Sequence, residues 1–309
     1  MNIPETPVEI ASNPPSTSVP RAAVPAPVPA SDAMAALEAV ETRAWVDLYE
    51  AAPDAIKRAA RLSVARAGGL LLGAAAAFDV LAFNRVLGAA AGTVVDEEAV
   101  AVVAERYRRL GVGRAFLPWP PTRVPPRPRP EEPSPLVFHN RWVKLWRDAS
   151  PPATVRSRLG FQPLTPRSAD EAAEVLASAF DFPPPLVGLF AAAIGRPRWR
   201  FFGLFDGPRL VAVAGLHLAG DCAWLGPAAT RPSHRGLGAQ QELLARRIEA
   251  AGEAGARLLT VETAEPLPDR PVASYRNVRR LGFAELYRRP NYRLDLAPAP
   301  LAASRGDST

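Results

Sequence analysis

The sequence predicts an α+β protein, helices packed on a mixed sheet, built as two successive halves. Three observations carry this. Between Phe161 and Leu296 the order reads strand, helix, three strands, helix, strand, helix, strand, strand. A coarser run of helices, strand, helix, strand and final strand precedes it. Proline-rich stretches at residues 1–30 and after Leu296 bound the ordered chain, and a third, Pro118–Pro135, reads as an exposed, stiff loop or linker. The expected units are a disordered tail over 1–30, an accessory half over 31–150, a second half over 151–297 and a disordered tail over 298–309. A chain of 309 residues is long enough for about two domains with real cores.

The first half opens with a helix over Asp32–Pro53, with Leu37, Val40, Ala44 and Leu48 at helical spacing. Phe78–Gly88 reads as a strand. A helix follows, with Asp96 at its N-cap and Gly111 just past its end. Gly113–Trp119 and Leu136–Asp148 read as further strands. In the second half, the strand at Phe161 leads into a helix capped by Ser168, with acidic residues in its first turn. Trp199–Thr230 carries three strand runs parted by the turn signals "DGPR" and "AGD". A long helix follows "RGLGAQ", with Leu237, Leu244, Ile248 and Ala251 as its apolar stripe. Then come a strand over Ala256–Thr263, a short helix over Val272–Gly282, and two final strands, "AELYRR" and "YRLDL".

Composition narrows the function. Apolar residues are 48% and charged residues 22%, ordinary for a globular chain. The only cysteine is Cys222, which suits a reducing compartment. Residues 1–30 carry Glu5 and Glu9 and no apolar core, unlike a signal peptide. The most apolar run, Ala67–Phe78, is too short to span a bilayer, so a cytoplasmic location and no membrane partner are expected. The net charge of +6 comes from arginine; lysine occurs only at Lys57 and Lys144, a bias that fits a GC-rich genome. These arginines are scattered and not interleaved with aromatics, which favours a small anionic ligand over nucleic acid. His139, His217 and His234 have no metal-ligand spacing, so no metal is expected. His234 reads as a solvated loop residue and Cys222 as a small buried apolar group.

The chemistry concentrates in Arg235–Gln240. Two glycines let the backbone turn and approach a ligand closely. The helix behind them offers free amides and a positive dipole end to a pyrophosphate, and Arg235 adds charge. Neither G-x-x-x-x-G-K-[ST] nor G-x-G-x-x-G occurs, so the two common nucleotide loops are excluded.

This segment resembles motif A of the GNAT superfamily of N-acetyltransferases, [QR]-x-x-G-x-[GA] after the fourth strand; Gln240 departs from it. "SYRNVRRLGF", Ser274–Phe283, resembles motif B, and the element order from Phe161 to Leu296 looks like the GNAT fold. Tandem bacterial GNAT proteins with "FNRV" in the first half look similar over nearly the whole ordered chain. The loop Ala89–Val95 has no arginine and no glycine pair in register, so the first half reads as a degenerate GNAT-like half, with an unrelated domain as the alternative.

The resemblance implies an acetyl-CoA-dependent N-acetyltransferase that moves an acetyl group directly to an amine of a small molecule or peptide. It implies a pantetheine arm along Ala228, Ala229 and Thr230, and a pyrophosphate on the amides from Gly236 through Leu237, Gly238 and Ala239 to Gln240. Ser274 and Asn277 either touch the pantetheine or cap their helix. Glu262 is the candidate base, directly or through water; a structurally paired carboxylate is the alternative. The family's motif B tyrosine is replaced by Val278, leaving Tyr275, Tyr287 and Tyr292 as candidate acids or as packing aromatics. A non-catalytic acyl-CoA-binding sensor or interaction module is the second reading. Acceptor specificity is expected to depend on loops such as "DFPPPLVGLF" and "EPLPDRPVA".

Overall fold

The computed structural model describes residues 31–67, 69–88, 96–119, 136–180, 182–269 and 271–296. The expected tails, most of the central proline-rich stretch and the loop Ala89–Val95 lie outside these residues. The first half contains α1 (Ser31–Ala51), α2 (Asp54–Ala60), β1 (Leu62–Ala67), β2 (Leu70–Ala75), β3 (Arg85–Leu87), α3 (Glu97–Leu110), β4 (Arg114–Pro118) and β5 (Leu136–Asp148). The second contains β6 (Gly160–Pro163), α4 (Ala169–Ala179), α5 (Pro184–Ala191), β7 (Trp199–Asp206), β8 (Arg209–Ala219), β9 (Cys222–Trp224) and β10 (Ala228–Thr230). It continues with α6 (Ala239–Glu253), β11 (Leu258–Ala264), α7 (Ala273–Arg280) and β12 (Ala284–Asp295).

All strands join one sheet, ordered β1-β2-β3-β4-β12-β5-β11-β9-β8-β7-β6, with β10 added on β8. The halves exchange strands at its centre. β5, from the first half, lies between β11 and β12 of the second. β12 reciprocates, its C-terminal end pairing with β4 over Asn291–Asp295. Helices cover both faces. One core joins α1, α4 and α5 to Phe201, Val213 and Trp224. On the other face, α6 and α7 bury Leu243, Leu244, Ile248 and Val278 against Phe202, Ala212, Ala214 and Val261, while α3 packs on the first-half strands. Among the described residues no helix is long and apolar enough to cross a membrane.

Several expectations hold locally. Leu37, Val40, Ala44 and Leu48 are all buried, so the α1 stripe is the face laid on the sheet. The Asp96 side chain accepts from the Ala99 amide, and Gly111 closes α3 at φ 77°.

Other expectations are corrected. Phe78–Gly88 is mostly turn, with only Arg85–Leu87 in a strand. Asn84 explains why: it accepts from the Ala75 amide at 2.8 Å and donates to the Phe78 carbonyl at 2.8 Å, folding the chain back. β1 and β2 were not expected; β2 is covered on both faces, so its small-residue run shows no alternation. The third expected run of Trp199–Thr230 divides into β9 and β10, and the two final strands are one, β12, which takes in Pro290 between register shifts. "DFPPPLVGLF" is not a loop throughout, because α5 starts at Pro184 with proline in its first turn. Ser168 makes no side-chain cap bond, since it sits in a short 3-10 turn. Leu237 precedes α6 and is 56% exposed, so Leu243 takes its place in the buried stripe.

Candidate functional site

The main cleft is formed where β10 and β11 part. β9 and β11 run parallel over Cys222↔Leu258 to Trp224↔Thr260, and the Leu225 amide still donates to the Thr260 carbonyl at 2.9 Å. Beyond that point β10 pairs with β8, and Val261–Ala264 of β11 pairs with β5. Main-chain edges of Ala228–Thr230 and of the end of β11 are thereby left without a strand between them.

The opening leads to the start of α6. Gly236 and Gly238 hold φ of 84° and 79°, the left-handed region that glycine enters without strain. Gly238 is the N-cap, so the amides of Ala239, Gln240 and Gln241 head the helix with no acceptor inside it. A Cβ at Gly236 would meet nothing within 4 Å, so the backbone there faces open space. The cavity at this point is about 690 Å³. It is lined by Ala228, Ala229, Thr230, Arg235, Gly236, Gly238, Ala239, Gln240, Ser274 and Asn277, every candidate binding residue except Leu237.

The side chain of Gln240 is turned to α7. Asn277 donates to Gln240 Oε1 at 2.7 Å and accepts from Gln241 Nε2 at 2.9 Å, clamping the two helices beside the cradle. That is also the role of Asn277; no side chain caps α7, and Ser274 simply lines the wall. His234 is not a free solvated residue. Its ring bridges Ser233 Oγ at 2.8 Å and Asp206 at 3.2 Å, at the cavity edge.

Two contributors were not foreseen. Arg280 lines the cavity one turn beyond Asn277 and adds a cation to Arg235; its signal was the 273, 277, 280 spacing on one helix face. Glu242, buried in the first turns of α6, accepts from the Ser157 amide at 2.7 Å and its hydroxyl at 2.8 Å, tying the inter-half segment to the cradle.

The candidate catalytic groups lie apart from the cavity wall, Glu262 and Tyr287 on the α1 side of the sheet and Tyr275 on α7 at the other face. Glu262 is 8% exposed, ion-paired with Arg289, and 3.8 Å from Lys144. Burial, with neighbouring Glu41, pushes its carboxyl up to about 7, against the pull of Arg289 and Lys144. The Tyr287 hydroxyl donates to Glu38 of α1, and burial raises it well above the ordinary phenol range. Tyr275 donates to Glu285, and burial and that carboxylate raise it as well. Neither tyrosine lines the cavity. Val278 is core, packed under α6. Cys222 is buried, with its thiol pushed up to about 11 by burial and Asp221. Among the described residues no group of histidine, cysteine and carboxylate side chains is placed to hold a metal.

A sheet split at its middle strand, with a glycine turn and a helix N-terminus at the split, defines a GNAT-fold protein. Residues 169–288 match the family model described as the acetyltransferase (GNAT) family. The fold is the GNAT fold in tandem form. It is similar to a GCN5-related N-acetyltransferase from Kribbella flavida, with 16% identity, 85% of this chain and 96% of that one covered, and a TM-score of 0.56. It is also similar to a tandem GNAT protein from the clavulanic acid biosynthesis pathway, with 14% identity, 87% and 97% covered, and a TM-score of 0.53. A conserved protein of unknown function from Staphylococcus epidermidis shares 7% identity over 71% and 87% of the chains, with a TM-score of 0.50. No curated protein sequence matches the chain.

Proposed function

We propose that the protein is an acetyl-CoA-dependent N-acetyltransferase whose second half, residues 151–297, carries the donor site, the first half having lost its own. This reading rests on one cavity that joins the edge of β10, freed where β10 and β11 part, to the glycine cradle at α6. In this reading the donor's pantetheine arm pairs with the free edge of Ala228–Thr230. Its pyrophosphate lies on the amides of Gly236–Gln240, with Arg235 and Arg280 as counter-charges. Once it has lost a proton to the base, the acceptor nitrogen attacks the acetyl carbonyl and the carbon–sulfur bond breaks. CoA departs as a thiolate that takes up the second proton, shed by the new amide nitrogen. Glu262 takes the proton from the ammonium acceptor, directly or through water; a carboxyl held near neutrality suits that task. The acceptor is a small-molecule or peptide amine, and the setting is cytoplasmic.

A second reading, an acyl-CoA sensor, draws on Val278 in the core and on Tyr275 and Tyr287 both away from the cavity. Release of free thiol from acetyl-CoA, followed across a panel of amines and peptide N-termini, separates the two. Acceptor-dependent release that Glu262→Gln abolishes supports the transferase. CoA binding without release from any acceptor supports the sensor.

A further inference from the structure

The charges around Glu262 come from both halves of the chain. Glu262 on β11 and Tyr287 on β12 are both register partners of Lys144 on β5, so the three stand abreast on the α1 face. Helix α1 lays Glu38 and Glu41 over them. Glu41 is 2.5 Å from Lys144, 3.1 Å from Arg289 and 3.2 Å from Arg85 on β3. Glu38 is 3.6 Å from Lys144 and 3.5 Å from Arg289, and it accepts from Tyr287. Three carboxylates thus face three cations, with none of the six side chains more than 8% exposed. Lys144 and Arg289 are each shared between Glu41 and Glu262. A pocket of about 20 Å³, bounded by Glu38, Glu41, Arg85 and Arg289 and sharing no residue with the main cleft, has room for one water beside the cluster.

We propose that the first half completes the reaction centre of the second: Glu41 of α1 is a positioning residue that governs Glu262 through Lys144 and Arg289, the two cations they share. This rests on Glu262 as the proton acceptor. Without Glu41, both cations are left to Glu38 and Glu262 alone and hold Glu262 as a carboxylate to lower pH. With Glu41, the cations are divided and Glu262 can take up a proton near neutrality. The groups facing Glu262 are Glu38 and Glu41 from α1, Arg85 from β3, Lys144 from β5, and Tyr287 and Arg289 from β12.

The test is a 13C NMR pH titration of the full chain labelled at glutamate carboxyls, with the Glu262 signal assigned by its loss in Glu262→Gln. Glu41→Gln is expected to move the Glu262 midpoint downward by about one pH unit or more, as loss of a close like charge does, and Glu41→Asp to restore it. Glu38→Gln leaves Glu41 in its three ion pairs, touches the same two cations, and carries the same sign; it decides the matter should Glu41→Gln fail to fold. An unmoved midpoint in the folded variants overturns the proposal. Failure of the transferase reading looks different: no acceptor releases thiol, while Glu262 still titrates and still moves.

Discussion

Glu262 and Lys144 stand directly opposite each other across the exchanged strands β11 and β5, 3.8 Å apart, one residue from each half of the chain. Their pairing makes the two halves one cooperative unit at the centre of the sheet. Lys144→Met would leave three buried carboxylates against two cations. The expected cost is about 3–5 kcal/mol, the usual penalty for stranding a buried charge. The double change Lys144→Met with Glu41→Gln should recover part of it by restoring the balance. Urea unfolding of both variants checks this, and equal stabilities for the single and double variants would count against the network.

His217 on β8 sets a pH dependence. It is fully buried, 3.6 Å from Asp47, and burial lowers its pKa to about 4. Above about 6.5 the ring is neutral both folded and unfolded, so stability does not vary through it. Between about 6.5 and 4 the unfolded chain takes up a proton that the folded chain refuses, and stability falls. The loss is at most a few kcal/mol by pH 4. Thermal unfolding of His217→Phe across this range should show a flatter profile than the unchanged protein.

Glu242 fastens the inter-half segment to the cradle through Ser157. Glu242→Ala leaves the Ser157 amide without its charged acceptor. A destabilisation of about 2–3 kcal/mol is expected from bonds of this kind, with weaker donor binding beside it. Denaturant midpoints and acetyl-CoA titration read the two effects separately.

Asn277→Ala frees Gln240 to swing over the amides of α6. Acetyl-CoA affinity should fall by roughly fivefold, the worth of about 1 kcal/mol, with little change in melting temperature. Pairing the variant with Gln240→Ala should restore most of the binding.

Much of the cleft at α6 was legible because its determinants are local. A glycine turn opening a periodic helix can be read from "RGLGAQ". The capped helix α3 was legible for the same reason. The Glu262 network was not, since its members meet only through the strand exchange. Yet it left two local marks. Glu41 falls in the 37, 41, 44, 48 spacing of α1, a charge on the face that is buried. Lys144 lies between Trp142 and Trp146 on one strand face, one of only two lysines in the chain. β2 escaped because a strand buried on both faces shows no period of two, and Pro290 disguised the continuity of β12.

Binding of an acyl-CoA by the cradle is read by isothermal titration of acetyl-CoA into the full chain and into a Gly236→Asp, Gly238→Asp variant. Each change puts a Cβ at positive φ, at about 1–2 kcal/mol per residue, and a carboxylate where the pyrophosphate would lie. Saturable binding to the unchanged protein and none to the variant is expected, with both folded by circular dichroism. No heat from either folded protein, or equal binding by both, would contradict it.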